Sequence, residues 1–395
     1  MNLYIFQNIF RDDVIASLVQ FKETGDEDAY FRASRGLIRY SSQRLTRGSI
    51  VKEYILRAML EADDLPEITE LRDYLRHDIK ILYHELLNFD WDGFCKEKDL
   101  LPLENMSVDM ISTGLESYAA SVECLMNCMS NEALGGAVLA HVESFGTGTT
   151  TAYAALKWAG ESLAGISRPD IIRFDDLTGL EHQKRVLIAN TEAFVSGRAA
   201  NDVLLTGSSG TGKSSCVKAC LQMFKDQGLR LIELNKADLG DLPQVFGSIK
   251  NRVLKYIVFI DDLSFEPGDV SYKLLKSALD GQAESRGENV LIYATSNRRS
   301  LIKETWAERE GYLSDEVHRN EGLNEKKSLA ARFGINLSFI TPTQVEYLEI
   351  VKNLLLQKGI EMTEEHRSKA LTWEINYNGF SGRTAKQFVA NILGE

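Results

Sequence analysis

The pattern of apolar and polar positions changes character near residue 166. Ahead of that point, apolar residues recur at helical spacing. In residues 68–86, Ile68, Leu71, Leu75, Ile79, Leu82 and Leu86 follow one another at steps of three and four, the stripe of an amphipathic helix. "ETGDEDA" (23–29) and "EADDLPE" (61–67) read as polar connections between such helices. Residues 1–165 are therefore expected to form an α-helical domain, in which no internal repeat stands out. From 167 to 197 the chain reads as a short extended piece and then a helix. Beyond it, "DVLLT" (202–206), "LRLIEL" (229–234), "YIVFI" (256–260), "NVLIYAT" (289–295) and "INLSFI" (335–340) are near-continuous apolar runs separated by helical segments. Strands covered on both faces by crossover helices look like this, so the pattern predicts a parallel α/β sheet over 166–340. Residues 341–395 return to helix in three segments, punctuated by Gly359, Gly379 and the region of Ser381.

Composition narrows the class without naming a function. In 395 residues, 44% are hydrophobic and 26% charged, as in an ordinary globular protein with room for two or three domains. Forty-five basic against 57 acidic residues leave a net charge of −12, which argues against a surface built as a whole to attract nucleic acid or anionic lipid. Five cysteines, with Cys124/Cys128 and Cys216/Cys220 each four apart, are expected to be reduced, small apolar residues. The start "MNLYIFQNIFRDD" lacks the basic n-region of a signal peptide, and no uncharged apolar run reaches the roughly 18 residues a membrane span needs, so a cytoplasmic setting is expected.

The chemistry concentrates in "GSSGTGKS" (207–214), between the strand "DVLLT" and the helical "SSCVKACLQMFKD". It fits G-x-x-x-x-G-K-[ST] in the strand–loop–helix context that the motif requires. Gly207, Gly210 and Gly212 let the backbone curl so that N–H groups around Ser208, Ser209, Thr211 and Ser215 can face phosphate oxygens. The helix N-terminus adds partial positive charge. Lys213 is placed to neutralise the β- and γ-phosphates, and the Ser214 hydroxyl to ligate Mg²⁺. A later strand then ends in two acids, "YIVFIDD". Asp261 stands where a phosphate-loop protein keeps its second Mg²⁺ ligand, and Asp262 where an acid orients and activates the attacking water. "ESFGTGTTTAY" (143–153) has no Lys after its glycines and reads as a loop rather than a second phosphate site.

These residues resemble the AAA+ ATPases, and within them a bacterial branch of uncharacterised ATP-binding proteins known as a domain of unknown function. The resemblance spans about residues 167–395. It implies an AAA+ core at 166–340, a helical lid at 341–395, and Mg²⁺-dependent hydrolysis of ATP. "RFDDLTGLEHQK" resembles the segment that cups the adenine, which makes Phe174, Leu177 and Gly179 candidate base contacts. "YATSNRR" resembles the first sensor strand, with Asn297 reaching the γ-phosphate or the water. "SLAARFGINLSF" resembles the segment of the arginine finger, with Arg332 pointing into a neighbouring subunit's nucleotide, and "GFSGRTAKQFV" the second sensor, with Arg383 on phosphate in its own chain. A homo-oligomeric ring, with six as the expected number, follows from the same resemblance. The departure is Asp262, because most AAA+ proteins place Glu there; nothing local in the sequence accounts for the shorter acid.

Three roles are compatible with these residues. One is an ATP-driven remodeller of a protein client chosen by residues 1–165. Another is a nucleic-acid-associated ATPase of the helicase-loader type; the acidic balance favours the first. A slow nucleotide switch that scaffolds an assembly is a third. "RRSLIKETWAEREGYLSDEVHRNEGLNEKKSLAA" (298–331) reads as a solvated charged segment. Arg298, Arg299, Lys326 and Lys327 could make a basic patch there, but acids are interleaved throughout. His77, His84, His141, His182, His318 and His366 lack metal-ligand spacing.

Overall fold

The structure is a computed structural model that describes residues 1–42, 48–63, 65, 70–104, 115–250, 252–265, 271–280, 286–297, 329–377 and 379–394. The charged stretch 298–328, with the basic-patch residues named above, lies outside the described residues. The chain divides into two compact units, Met1–Ala154 with Gly165–Arg168, and Ala155–Ala164 with Pro169–Glu395.

The first unit is helical. Its larger helices are Asp13–Thr24, Glu27–Ser41, Ile50–Leu60, Arg72–Leu82, Glu116–Met126 and Asn131–Phe145. Side-chain caps set several starts: Asp12 accepts from Val14 and Ile15 N–H, Ser49 from Lys52, and Ser130 from Ala133. Of the stripe expected over 68–86, Ile68 lies outside the described residues and Leu71 is partly buried, while Leu75, Ile79, Leu82 and Leu86 are buried in one core with Phe6, Ile15, Leu18, Phe21, Leu56 and Val138. Asp78, on the helix Arg72–Leu82, is fully buried, and its carboxylate accepts the backbone N–H groups of Tyr4, Ile5 and Phe6 at 2.7–3.1 Å. Three donors on one acid compensate its desolvation and fasten the N-terminal segment to that helix.

His141 is likewise buried. Nδ1 meets Ser121 Oγ at 2.7 Å and Nε2 meets Thr151 Oγ1 at 3.2 Å. Burial pushes its imidazole down to about 4 from an ordinary 6.5. A folded state that refuses a proton the unfolded chain accepts is destabilised as pH falls through that window, with a slope approaching about 1.4 kcal/mol per pH unit. Urea titrations of the full chain between pH 7.5 and 5 are expected to show a midpoint that drops below pH 6.5. His141→Asn should flatten that part of the drop; a parallel fall in the variant would assign it elsewhere.

The second unit holds a seven-stranded sheet. The strands are β1 (Ala155–Trp158), β2 (Leu163–Gly165), β3 (Val203–Gly207), β4 (Leu229–Glu233), β5 (Lys255–Ile260), β6 (Val290–Ser296) and β7 (Ile335–Phe339), in the order β2-β1-β4-β5-β6-β3-β7. The pairings of β1 with β4, β4 with β5, β5 with β6, β6 with β3 and β3 with β7 are all parallel. Every residue of β6, and all of β5 after Lys255, is buried, which is why their sequences run apolar without alternation. β1 and β2 fall inside the stretch expected to be helical. They are four and three residues long, too short to announce a period of two. The C-terminal helices Gln344–Leu356, Glu364–Tyr377 and Gly382–Gly394 share a small core of Tyr347, Val351, Leu355, Ala370, Ala385 and Phe388.

Because β3, β5 and β6 are parallel neighbours, their carboxyl ends lie along one edge. Gly207 opens the phosphate loop there, Asp261 and Asp262 follow β5, and Asn297 follows β6. The topology thus gathers residues far apart in sequence at the edge where open parallel sheets bind ligands.

Candidate active site

Gly207 ends β3 opposite Phe339 of β7, and a Cβ there would stand 2.1 Å from the Phe339 carbonyl oxygen. Only glycine lets the two strands close at this point. Gly210 has φ +76°, and a Cβ would press Ser381 Oγ at 3.0 Å and Arg383 Cβ at 3.1 Å. Its carbonyl accepts the Gly382 N–H at 3.0 Å, so the loop and the start of the helix Gly382–Gly394 are tied together. The phosphate-loop helix then begins at Lys213, which is only 5% exposed. Its ammonium donates to Gly207 O and Ser208 O, each at 2.8 Å, and to Asn297 Oδ1 at 2.9 Å. Burial lowers the Lys213 pKa; the carboxylates of Asp261 and Asp262 oppose that and Arg383 reinforces it.

The acids at the end of β5 are held by named donors. Ser214 Oγ donates to Asp261 Oδ1 at 2.6 Å, and Thr295 Oγ1 donates to the same oxygen at 2.5 Å. Asp262 Oδ1 accepts from Asn297 Nδ2 at 2.6 Å, while its own N–H donates to Thr295 Oγ1 at 2.9 Å. Asp262 has φ +53° and, with Asp99, is one of two non-glycine residues of positive φ among those described. That angle supplies the missing reason for the shorter acid. The left-handed region costs an ordinary residue about 1–2 kcal/mol, and Asp and Asn enter it several-fold more often than others.

A cleft of about 870 Å³ runs over these groups. Of the residues singled out from the sequence, Leu177, Gly179, Ser209, Gly210, Thr211, Gly212, Lys213, Ser214, Ser215, Asp261, Asp262, Asn297 and Arg383 line it. Gly207 and Ser208 stand behind the lining and contribute the carbonyls that Lys213 holds. Phe174 does not line it: the short turn Phe174–Asp176 intervenes, and the wall begins at Asp176. Arg332 is also outside. It precedes β7, at the sheet edge opposite the cleft, and its guanidinium pairs with Asp280. The sequence reading placed Arg383 of the last helix at the site but missed Thr295 and, on the C-terminal helices, Ile350, Leu354, Lys386 and Gln387. Thr295 carried a signal, since a period of two puts it on the same face as Asn297. Ile350, Leu354, Lys386 and Gln387 carried none. Their place depends on tertiary contacts such as Asn353 Nδ2 to Thr178 Oγ1 at 2.9 Å and Gln357 Nε2 to Asp176 Oδ1 at 3.0 Å.

The residues present suit a nucleotide with Mg²⁺. A loop whose Gly210 and Gly212 face the cleft curls there, a cation sits at its centre, and a hydroxyl and a carboxylate, Ser214 and Asp261, converge within hydrogen-bond distance. The lining also includes apolar Leu177, Leu180, Ile340, Pro342, Ile350 and Leu354, a surface for an aromatic base.

Fold and cleft together define a phosphate-loop protein: a parallel sheet carrying the loop on an inner strand, followed by three C-terminal helices. Residues 151–395 match the family described as a protein of unknown function, DUF815, and the chain belongs to that family. No curated protein matches the sequence. Among solved structures, the chain is similar to the Thermotoga maritima RuvB Holliday junction branch migration motor, at 18% identity over 54% of this chain and 62% of that one, with a TM-score of 0.37. It is similar to the FIGL-1 AAA domain in complex with ADP, at 21% identity over 55% and 72%, with a TM-score of 0.37. The Aeropyrum pernix ORC1 protein in complex with DNA matches at 14% identity over 57% and 61%, with a TM-score of 0.40. The chain thus spans less than two thirds of the length of RuvB and of ORC1.

Proposed function

We propose that this protein binds ATP with Mg²⁺ and hydrolyses it, and that the cycle remodels a protein client. The observation that carries the reading is one convergence. The Lys213 ammonium, the Ser214–Asp261 pair and the Asp262–Asn297 pair meet in a single cleft at the carboxyl edge of a parallel sheet. In this reading Lys213 leaves its loop carbonyls for the β- and γ-phosphates. Ser214 and Asp261 would hold Mg²⁺, which when bound neutralises charge developing on the phosphoryl oxygens. Asp262 takes the proton of the attacking water, and Asn297 fixes that carboxylate and the water's direction. Arg383, across the cleft on the lid, contacts phosphate from the same chain. Leu177, Gly179 and the apolar lid residues Ile350 and Leu354 accept the base. Arg332 acts on a neighbouring subunit's nucleotide, which its place at the opposite sheet edge permits and which requires it to leave Asp280. The working unit is then a homo-oligomer, with a ring of six the first arrangement to test.

A protein client is preferred to nucleic acid because the net charge is −12. The test is equilibrium binding of a fluorescent ATP analogue, steady-state phosphate release, and sedimentation with a non-hydrolysable analogue. Mg²⁺-dependent binding, measurable turnover and nucleotide-driven assembly are expected, with no response to single-stranded or duplex DNA. Absence of binding would overturn the reading of the cleft. Several-fold stimulation by DNA that vanishes at high salt would replace the client with nucleic acid. Tight binding with turnover below about one per minute would make the chain a switch, far under typical enzyme rates.

A further inference from the structure

One side chain touches both acids and has no role in the scheme above. The register of β5 and β6 sets Ile260 against Ala294, so the residues that follow, Asp261 and Thr295, meet where pairing ends. Thr295 is 1% exposed. Its hydroxyl donates to Asp261 Oδ1 at 2.5 Å and accepts the Asp262 N–H at 2.9 Å, and its backbone carbonyl accepts the Leu263 N–H at 2.7 Å. A hydroxyl has one proton and two lone pairs, so both bonds form at once without competition.

We propose that Thr295 is the positioning residue of the acid pair: it sets the orientation of Asp261 through a donated hydrogen bond and holds the left-handed turn that carries Asp262 through an accepted one. The proposal rests on the reading of the cleft as a Mg²⁺–ATP site. Two features make the role more than packing. First, Ser214 and Thr295 donate to the same oxygen, so the carboxylate is fixed from two elements, the phosphate-loop helix and β6. An acid held this way meets a cation without first choosing a rotamer. Second, β5 ends at Ile260, and Asp262 has turned to φ +53°, where its N–H continues no ladder and takes a side-chain acceptor instead. That acceptor joins the Leu263 N–H bond to the Thr295 carbonyl and the Asn297 bond to the Asp262 carboxylate in holding an angle that costs energy. One hydroxyl therefore coordinates the place of the cation's acid with the place of the water's acid.

The experiment compares Thr295→Val, which keeps shape and loses the hydroxyl, with Thr295→Ser, which keeps the hydroxyl. Binding of a fluorescent ATP analogue is titrated with and without Mg²⁺, turnover is followed against Mg²⁺ concentration, and melting is recorded. Thr295→Val is expected to lose about 10- to 100-fold in apparent Mg²⁺ affinity, the range seen when a group supporting a metal ligand is removed, with Mg²⁺-free ATP binding unchanged. Thr295→Ser should return to within about threefold of the parent on the same scale. A Val variant whose Mg²⁺ dependence equals the parent's, or a Ser variant as impaired as Val, overturns the proposal. A nucleotide-free crystal structure of Thr295→Val gives a second decision. Asp261 in a new rotamer and Asp262 out of the left-handed region support it; both acids unmoved overturn it. Should the parent fail to bind Mg²⁺–ATP at all, the cleft reading falls and that crystal structure still decides Thr295.

Discussion

Asp262→Asn is expected to leave ATP binding within about twofold of the parent while phosphate release falls by at least a hundredfold, the lower end of what a general base contributes. The geometry explains why the two readouts separate. Asn is nearly the same size as Asp and also tolerates positive φ, so the turn survives at +53°. Its carbonyl oxygen can still accept from Asn297 Nδ2, the bond now made at 2.6 Å by the carboxylate. The loop, Lys213 and the Ser214–Asp261 pair are untouched. What disappears is a carboxylate able to take a proton from water. Binding measured with a fluorescent analogue and turnover measured by phosphate release give both halves. Turnover at the parent's rate would remove Asp262 from the chemistry and shift attention to Asn297.

The reason for Asp at 262 shows where sequence reasoning stops. "YIVFIDD" announces a buried strand ending in two acids, and the phosphate loop upstream tells what such acids are for. The backbone angle that separates Asp from Glu is set by how β5 leaves the sheet and by the Thr295 hydroxyl across from it. The turn is not visible along the chain, and the spacing of Thr295 from Asn297 gives its face but not its bonds. The same division holds for the fold. β3 to β6 were legible because runs of buried positions make their sequences largely apolar, the edge strand β7 because Leu337 and Phe339 alternate with exposed Asn336 and Ser338, and the helix ahead of Asn88 because Leu75, Ile79 and Leu82 repeat at helical spacing. β1 was not. "ALKW" pairs with β4 through three registered positions, and only the sheet next to it makes it a strand. Phe174 illustrates the reverse error: a motif brought the right segment to the cleft, but a three-residue turn decides which of its side chains line the wall.

Lys213→Met should separate stability from binding in opposite directions. In the absence of nucleotide, the Lys213 ammonium is a charge at 5% exposure, pinned to two loop carbonyls and to Asn297. Its pKa is lowered chiefly by burial, so the site already resists the charged form. Met preserves the length and apolar stem of Lys and removes that desolvation, at the expense of three hydrogen bonds. The two effects are of similar size, and the melting temperature is expected to stay within a few degrees of the parent or to rise. Nucleotide affinity has no such compensation. A charge-assisted contact to phosphate is lost in a cleft that retains both Asp261 and Asp262, whose negative charge now faces the triphosphate without its nearest cation. A loss of at least a hundredfold in affinity for Mg²⁺–ATP is expected, or about 2.7 kcal/mol. Calorimetric melting and equilibrium binding on the same sample check the pair. A variant that melts far below the parent would mean that Lys213 supports the loop's own fold. One that binds as tightly as the parent would mean that the ammonium stays on Gly207 and Ser208 when nucleotide arrives, and that the phosphates are held by backbone amides and Arg383.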